Sequence, residues 1–265
     1  MFSRTKSLAK SLSLDCIGCW SNIHTFYKFP HMAFDYLFAS TYAASPYAIQ
    51  KLIGVYHHNS GYAIEDIDAS KNTYTKSGYD GSFMDLFALP RFSSENLTTY
   101  VTGSDKSRVE KEEAFADFEA AHKFLSVCGE EYGGKDIGEK FNCSVCKKCL
   151  RTMSGFYALG KLDNFREVFD VDGYKKHLGR RLGKWFAYDH GGFVRDFKTY
   201  AKRNGVKIPF SAYLWQWCVY GPYHFLVRHL RNSKFVRKLY YKFNIDILIH
   251  GYRNSVADKF LKEEK

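Results

Sequence analysis

Four cysteines, Cys128, Cys143, Cys146 and Cys149, carry the clearest chemistry in this chain, spaced C-x14-C-x2-C-x2-C. Four thiolates complete the tetrahedral shell of Zn²⁺ at about 2.3 Å each, and a shell closed by four protein ligands is structural rather than catalytic. Gly129, Gly133, Gly134 and Gly138 give the intervening loop freedom to fold back, so that Cys128 can reach the other three. Lys147, Lys148 and Arg151 offset the negative charge of the thiolates. A C-x2-C-x2-C run also occurs in iron–sulfur proteins, where further ligands lie downstream, often ahead of Pro. Here the fourth cysteine lies upstream and no Pro follows, so zinc is the expected metal.

The remaining candidates have plainer readings. Cys16 and Cys19 sit in the apolar run Leu14 to Trp20, where a strand would point them to opposite faces, and core packing is expected. His57, His58, His224 and His229 lack acidic or cysteine neighbours and are expected to be surface or core histidines. Arg108 and Lys111 lie one helical turn apart and can face an anionic group together; the alternative is a solvated helix face. No Ser-His-Asp or Cys-His arrangement for nucleophilic catalysis stands out.

The elements that must position these residues read as alternating helices and strands. A helix is expected over Arg4 to Leu12, followed by a short buried strand over Leu14 to Trp20. A helical stretch is expected from Met32 to Tyr56, with Pro46 breaking or kinking it. Tyr62 to Ile67 and Leu97 to Val101 read as strands, and Asp68 to Gly81 as an exposed loop. Apolar residues at Val109, Ala114, Phe115, Phe118, Ala121 and Leu125 give one helical face over Arg108 to Phe124. A second short helix is expected from Leu150 to Leu162, starting inside the cysteine cluster, and a mostly helical tail from Tyr174 on. This order favours a layered α/β domain.

Composition divides the chain. Of the net charge of +11, residues 174–265 contribute +14, from 20 Lys and Arg against 6 Asp and Glu. The body is near neutral. The expected division is therefore 1–170 and a basic, aromatic-rich extension, 171–265, of a kind that attracts phosphate-bearing partners such as anionic lipid or RNA. Within the extension, Ile208 to Val227 has no charged residue, but Pro209, Gln216, Gly221, Pro222 and His224 weaken it as a membrane span. The readings for this segment are an aromatic helix pair packed on the body, a segment lying at a membrane interface, or a span. No secretion signal is visible, so the cysteines are expected to be reduced, the Asn96-Leu97-Thr98 sequon is set aside, and the expected compartment is the cytoplasm, with a peripheral membrane location for a docked tail.

The run Cys128…Asn142-Cys143-x-x-Cys146-x-x-Cys149-Leu150-Arg151-Thr152-Met153 resembles the zinc signature of 7-cyano-7-deazaguanine synthase (QueC-like) enzymes. It is more similar still to their uncharacterised relatives associated with surface-polysaccharide genes, all in the adenine nucleotide alpha-hydrolase (PP-loop ATP pyrophosphatase) superfamily. Asp85-Leu86-Phe87-Ala88-Leu89, Ser93-Ser94 and Ser107-Arg108-Val109-Glu110-Lys111 follow in the same order as in those relatives, and the resemblance covers residues 1–170. It implies a doubly wound sheet, ATP with Mg²⁺, and adenylation of a small-molecule acid followed by amidation. It also implies substrate or nucleotide contact for Asp85, Arg108 and Lys111; the alternative for Asp85 is a helix cap.

The sequence departs from the family at its phosphate loop. No S-G-G-x-D-S occurs anywhere, and Ser77-Gly78-Tyr79-Asp80-Gly81-Ser82 has no apolar strand before it. The expected fold is thus a partial doubly wound sheet lacking its first strand, with a zinc loop and a helical extension. A partner chain from a split gene, a truncated reading frame or a misassigned start are the three explanations. Two functions follow: an ATP-dependent C–N ligase that needs the loop from elsewhere, or a catalytically inactive, zinc-stabilised module docking on anionic membrane or RNA.

Overall fold

The computed structural model describes residues 2–23, 37–66, 81–128, 141–188 and 192–232. It is a mixed α/β protein dominated by helices, and it divides into two compact units, Met1–Phe115 and Ala116–Lys265. The charge boundary at 170/171 falls inside the second unit.

In the first unit, α1 (Phe2–Ser11) matches the helix expected there, but Leu14 to Trp20 forms no strand. A strand needs a partner edge, and this run is largely exposed, with Trp20 at 79%. Cys19 is exposed and Cys16 only half-buried, so core packing for the pair is also corrected. Of the helix expected from Met32 to Tyr56, the described residues form α2 (Phe38–Ala48) only, which ends two residues after its buried Pro46. The chain then enters β1 (Val55–Asn59) rather than continuing as helix.

Strand β1 pairs in parallel with β2 (Thr98–Thr102), in register from Val55 opposite Thr98 to Asn59 opposite Thr102. The expected strand at Tyr62 to Ile67 is replaced by a 3₁₀ turn, Ile64–Asp66. The connection between the strands includes α3 (Asp85–Ala88) and the 3₁₀ turn Leu89–Phe92. Gly103, at φ +75°, turns the chain out of β2 toward α4 (Arg108–Phe115). Ser107 and Glu110 close a capping box there: the Ser107 amide donates to Glu110 Oε2 at 2.6 Å and the Glu110 amide to Ser107 Oγ at 3.4 Å. The expected loop at Asp68 to Gly81 lies almost wholly outside the described residues.

In the second unit, α5 (Glu119–Phe124) is a separate helix, and the single apolar face read over Arg108 to Phe124 is corrected: Phe118 is exposed while Glu112 is buried. The break at Ala116-Asp117-Phe118 is held by tertiary bonds: His122 Nε2 lies 2.8 Å from the Ala116 carbonyl, and Lys161 Nζ donates to Asp117 Oδ1 at 2.8 Å. Helix α6 (Lys147–Ala158) starts three residues earlier than expected and is followed by the 3₁₀ turn Leu162–Phe165. Its inner face carries Met153 and Phe156, with Phe156 stacked on Phe165 at 3.7 Å between centroids.

Helices α7 (Val171–Lys176), α8 (Leu178–Tyr188), α9 (Gly192–Arg203), α10 (Phe210–Leu214) and α11 (Gly221–Asn232) make up the described extension. A π-helical segment, Trp215–Tyr220, joins the last two. Their core contains Leu182, Trp185, Phe186, Phe197 and Ala212. Helix α8 meets the α10 region through Gly179 and Gly183: a Cβ on Gly183 would lie 2.5 Å from the Ala212 carbonyl and 2.5 Å from Trp215 Cβ. Two glycines four residues apart therefore allow this close approach. Among the described residues no helix is long and apolar enough to cross a membrane.

Candidate metal centre

The four cysteines named by their spacing converge. Their sulfurs all lie within 4.8 Å of one another, with Cys128–Cys146 at 3.9 Å, Cys143–Cys149 at 3.8 Å and Cys146–Cys149 at 3.4 Å. A tetrahedral ion with ligands at about 2.3 Å requires sulfur–sulfur separations of about 3.8 Å. The observed distances fit that requirement and are far too long for disulfides, which need about 2.05 Å. All four cysteines are free, and Cys128 and Cys149 are buried. The site accordingly fits a closed metal shell.

Local structure explains the convergence. Cys146 is the N-cap of α6, and its sulfur accepts the Cys149 amide at 3.5 Å. The Cys146 amide in turn donates to Cys143 Sγ at 3.3 Å. The helix N-terminus and these amides favour negative sulfur. Between Cys143 and Cys146 the chain turns at Ser144, whose φ of +57° is unusual for a residue with a side chain. Ser144 Oγ accepts the Asp170 amide at 2.9 Å, and Arg181 Nη1 donates to the Ser144 carbonyl, so the turn is held from two other segments.

The distant ligand is placed by Asn142. Its side chain is buried and makes four hydrogen bonds: Oδ1 accepts the amides of Val127 at 2.8 Å and Cys128 at 3.1 Å, while Nδ2 donates to the carbonyls of Leu125 at 2.9 Å and Val168 at 3.0 Å. That satisfies the full capacity of an amide. The sequence pattern includes Asn142, but nothing in it reveals this clamp. Glycines 129, 133, 134 and 138 lie outside the described residues.

Without metal the sulfurs share protons. Hydrogen bonding with Cys149 pulls Cys146 down to about 5, whereas the same interaction and burial push Cys149 up, and burial raises Cys143. A divalent ion bound there would displace those protons and be held by the thiolates of Cys128, Cys143, Cys146 and Cys149. Lys147 and Lys148 are exposed on the first turn of α6. Arg151 instead places its guanidinium 4.3 Å from the Phe193 ring centroid.

The other three predicted site residues belong to the first unit. Asp85 is fully buried at the start of α3, with Oδ2 3.3 Å from His58 Nε2. His58 Nδ1 lies 3.2 Å from the Tyr56 hydroxyl, making a Tyr56–His58–Asp85 chain along one face of β1. Burial, foremost, raises the Tyr56 hydroxyl pKa, with Tyr42 and Asp85 adding to it. Lys111 Nζ donates to the Ser60 carbonyl at 3.0 Å, just past β1, and the Ser60 amide donates to Thr102 O at 2.9 Å, just at the end of β2. Arg108 Nε lies 3.5 Å from Glu112 Oε1. The C-terminal ends of the two parallel strands thus gather Asp85 with His58, and Lys111 with Ser60; Arg108 pairs along its own helix. His58, read from sequence as a histidine without an acidic neighbour, has one in Asp85, 27 residues away in sequence.

Comparisons with protein-family models, with curated proteins and with solved structures find no match to this chain.

Proposed function

We propose that this chain is a zinc-stabilised, QueC-like member of the PP-loop ATP pyrophosphatase superfamily, working as part of an ATP-dependent C–N ligase on a small-molecule or glycan-linked acid. The observation that carries the reading is the four-sulfur cluster, whose spacing is that of the resemblance and whose geometry fits a closed zinc shell. A parallel strand pair with an ordered turn into α4 is consistent with the partial doubly wound sheet expected of such a protein. In that fold, ligands sit beyond the carboxyl ends of the strands, the end at which Asp85 and Lys111 are gathered.

The residues present fit zinc but do not by themselves form a phosphate cradle, since the 265 residues contain no S-G-G-x-D-S loop. Nucleotide chemistry therefore needs that loop from outside these 265 residues, from a partner chain or from a longer reading frame of the same protein. Pyrophosphate release from Mg-ATP tests this, first with the purified chain and then with the product of an adjacent reading frame that carries S-G-G-x-D-S. The expected result is no release by the chain alone and release by the pair, reduced by Lys111→Met. Failure of the pair to form, with no nucleotide binding by calorimetry in either sample, contradicts the reading.

A further inference from the structure

We propose that the segment from α10 through the π-helical turn to α11 is a membrane-docking face that lies on an anionic lipid surface. One side of this segment is anchored. Ala212 is fully buried, α8 approaches through Gly179 and Gly183, and Arg180 Nε donates to the Tyr220 hydroxyl at 3.1 Å. The other side is apolar and open: Phe210 is 68% exposed, Trp217 62%, Phe225 65% and Leu226 57%, with Leu214 and Tyr223 beside them. Phe210, Leu214 and Trp217 recur at helical spacing, so they form one stripe rather than scattered exposures. Soluble surfaces rarely leave so much contiguous apolar area uncovered.

Charge selects the occupant. No Asp or Glu occurs from 197 to 245, a stretch that holds ten Lys and Arg. The uncharged segment is bracketed by Lys207 and Arg228, which places cations at the borders of the apolar stripe and none within it. Aromatic side chains inserted at headgroup depth, with cations at the rim, are the physical pattern of an interfacial helix on anionic lipid. RNA recognition needs cations interleaved with the stacking rings, to reach the backbone between bases, and residues 208–227, which carry the exposed rings, contain none. A second copy of the chain would bring two strongly basic segments together, which repel. The segment lies on the bilayer and does not cross it, in keeping with the absence of a spanning helix among the described residues. This proposal stands apart from the ATP reading, because neither Asp85 nor Lys111 enters it.

Sedimentation of the full, metal-loaded chain with phosphatidylcholine vesicles, with and without phosphatidylserine, tests it. Binding is expected only with phosphatidylserine, weakened by added salt, and accompanied by a blue shift in tryptophan fluorescence that Trp217→Ser abolishes. The double variant Trp217→Ser/Phe225→Ser is expected to bind at least about tenfold more weakly. Its far-ultraviolet circular dichroism and metal content should be unchanged, since both side chains are exposed. No binding to anionic vesicles overturns the proposal. So does binding that the double variant leaves intact, or self-association or RNA binding in place of vesicle binding.

Discussion

Asn142 Oδ1 accepts the backbone amide of Cys128 at 3.1 Å, so the side chain one residue before Cys143 fixes the ligand fourteen positions upstream of it in the chain. The first and second candidate metal ligands are therefore joined by an amide clamp. Loop closure of this kind lowers the entropy that metal binding must otherwise overcome.

Replacing the clamp should separate ligand chemistry from ligand positioning. Asn142→Ala leaves two amides and two carbonyls without their partner, and is expected to destabilise the protein by about 3 kcal/mol and to weaken zinc retention. Asn142→Asp keeps Oδ1 but removes both Nδ2 donors, so it should retain more metal than the alanine variant does. Zinc competition with a chelator, alongside thermal melts, checks both.

The close contact at Gly183 predicts a packing defect. Gly183→Ala puts a methyl 2.5 Å from the Ala212 carbonyl, and the backbone on that side must shift. A loss of about 1–3 kcal/mol is expected, together with increased protease sensitivity around residues 205–215, while metal content stays unchanged. Limited proteolysis with mass spectrometry reads the outcome.

Tyr174 is fully buried, and its hydroxyl lies 2.8 Å from Ser154 Oγ. Tyr174→Phe removes one hydrogen bond, at about 1 kcal/mol. Tyr174→Ala adds a cavity and should cost about 3–5 kcal/mol. Urea titrations of the two variants distinguish the polar contribution from the packing contribution.

One ion-pair network predicts a small pH effect of definite sign. Lys175, foremost, and Arg166 hold Asp163 below the usual carboxylate range. A depressed carboxylate stabilises the fold above its unfolded value and loses that contribution as pH falls through its folded value. Asp163 is exposed, so the effect at neutral pH is below about 1 kcal/mol. Asp163→Asn should melt slightly lower than the parent at pH 7, and the gap should close on acidification.

What could be read in advance followed from how local each feature is. Three of the four ligands lie within seven residues, 143–149, and Cys146 caps the helix that carries Cys149, so spacing alone located the site. Asn142 was visible in the pattern, but its task depends on Leu125 and Val168, which only the folded chain brings to it. The apolar run at Leu14 to Trp20 has strand-like composition and no partner strand, and β1 has the partner but an unremarkable sequence of Val55-Tyr56-His57-His58-Asn59. The apolar periodicity over Arg108 to Phe124 suggests one continuous helix, yet Phe118 is exposed and Glu112 buried. Bonds from His122 and Asn164 to the Ala116 carbonyl nevertheless favour a break there, which periodicity cannot encode.

The central claim is that the four sulfurs hold one metal ion that supports the second unit. Elemental analysis of the purified chain, paired with Cys128→Ser and Cys149→Ser variants, tests it most directly. The account predicts about one zinc per chain in the parent, little or none in either variant, and a parent melting temperature that falls on chelation. A parent purified without metal, or one whose metal can be removed with no change in melting temperature, would contradict it.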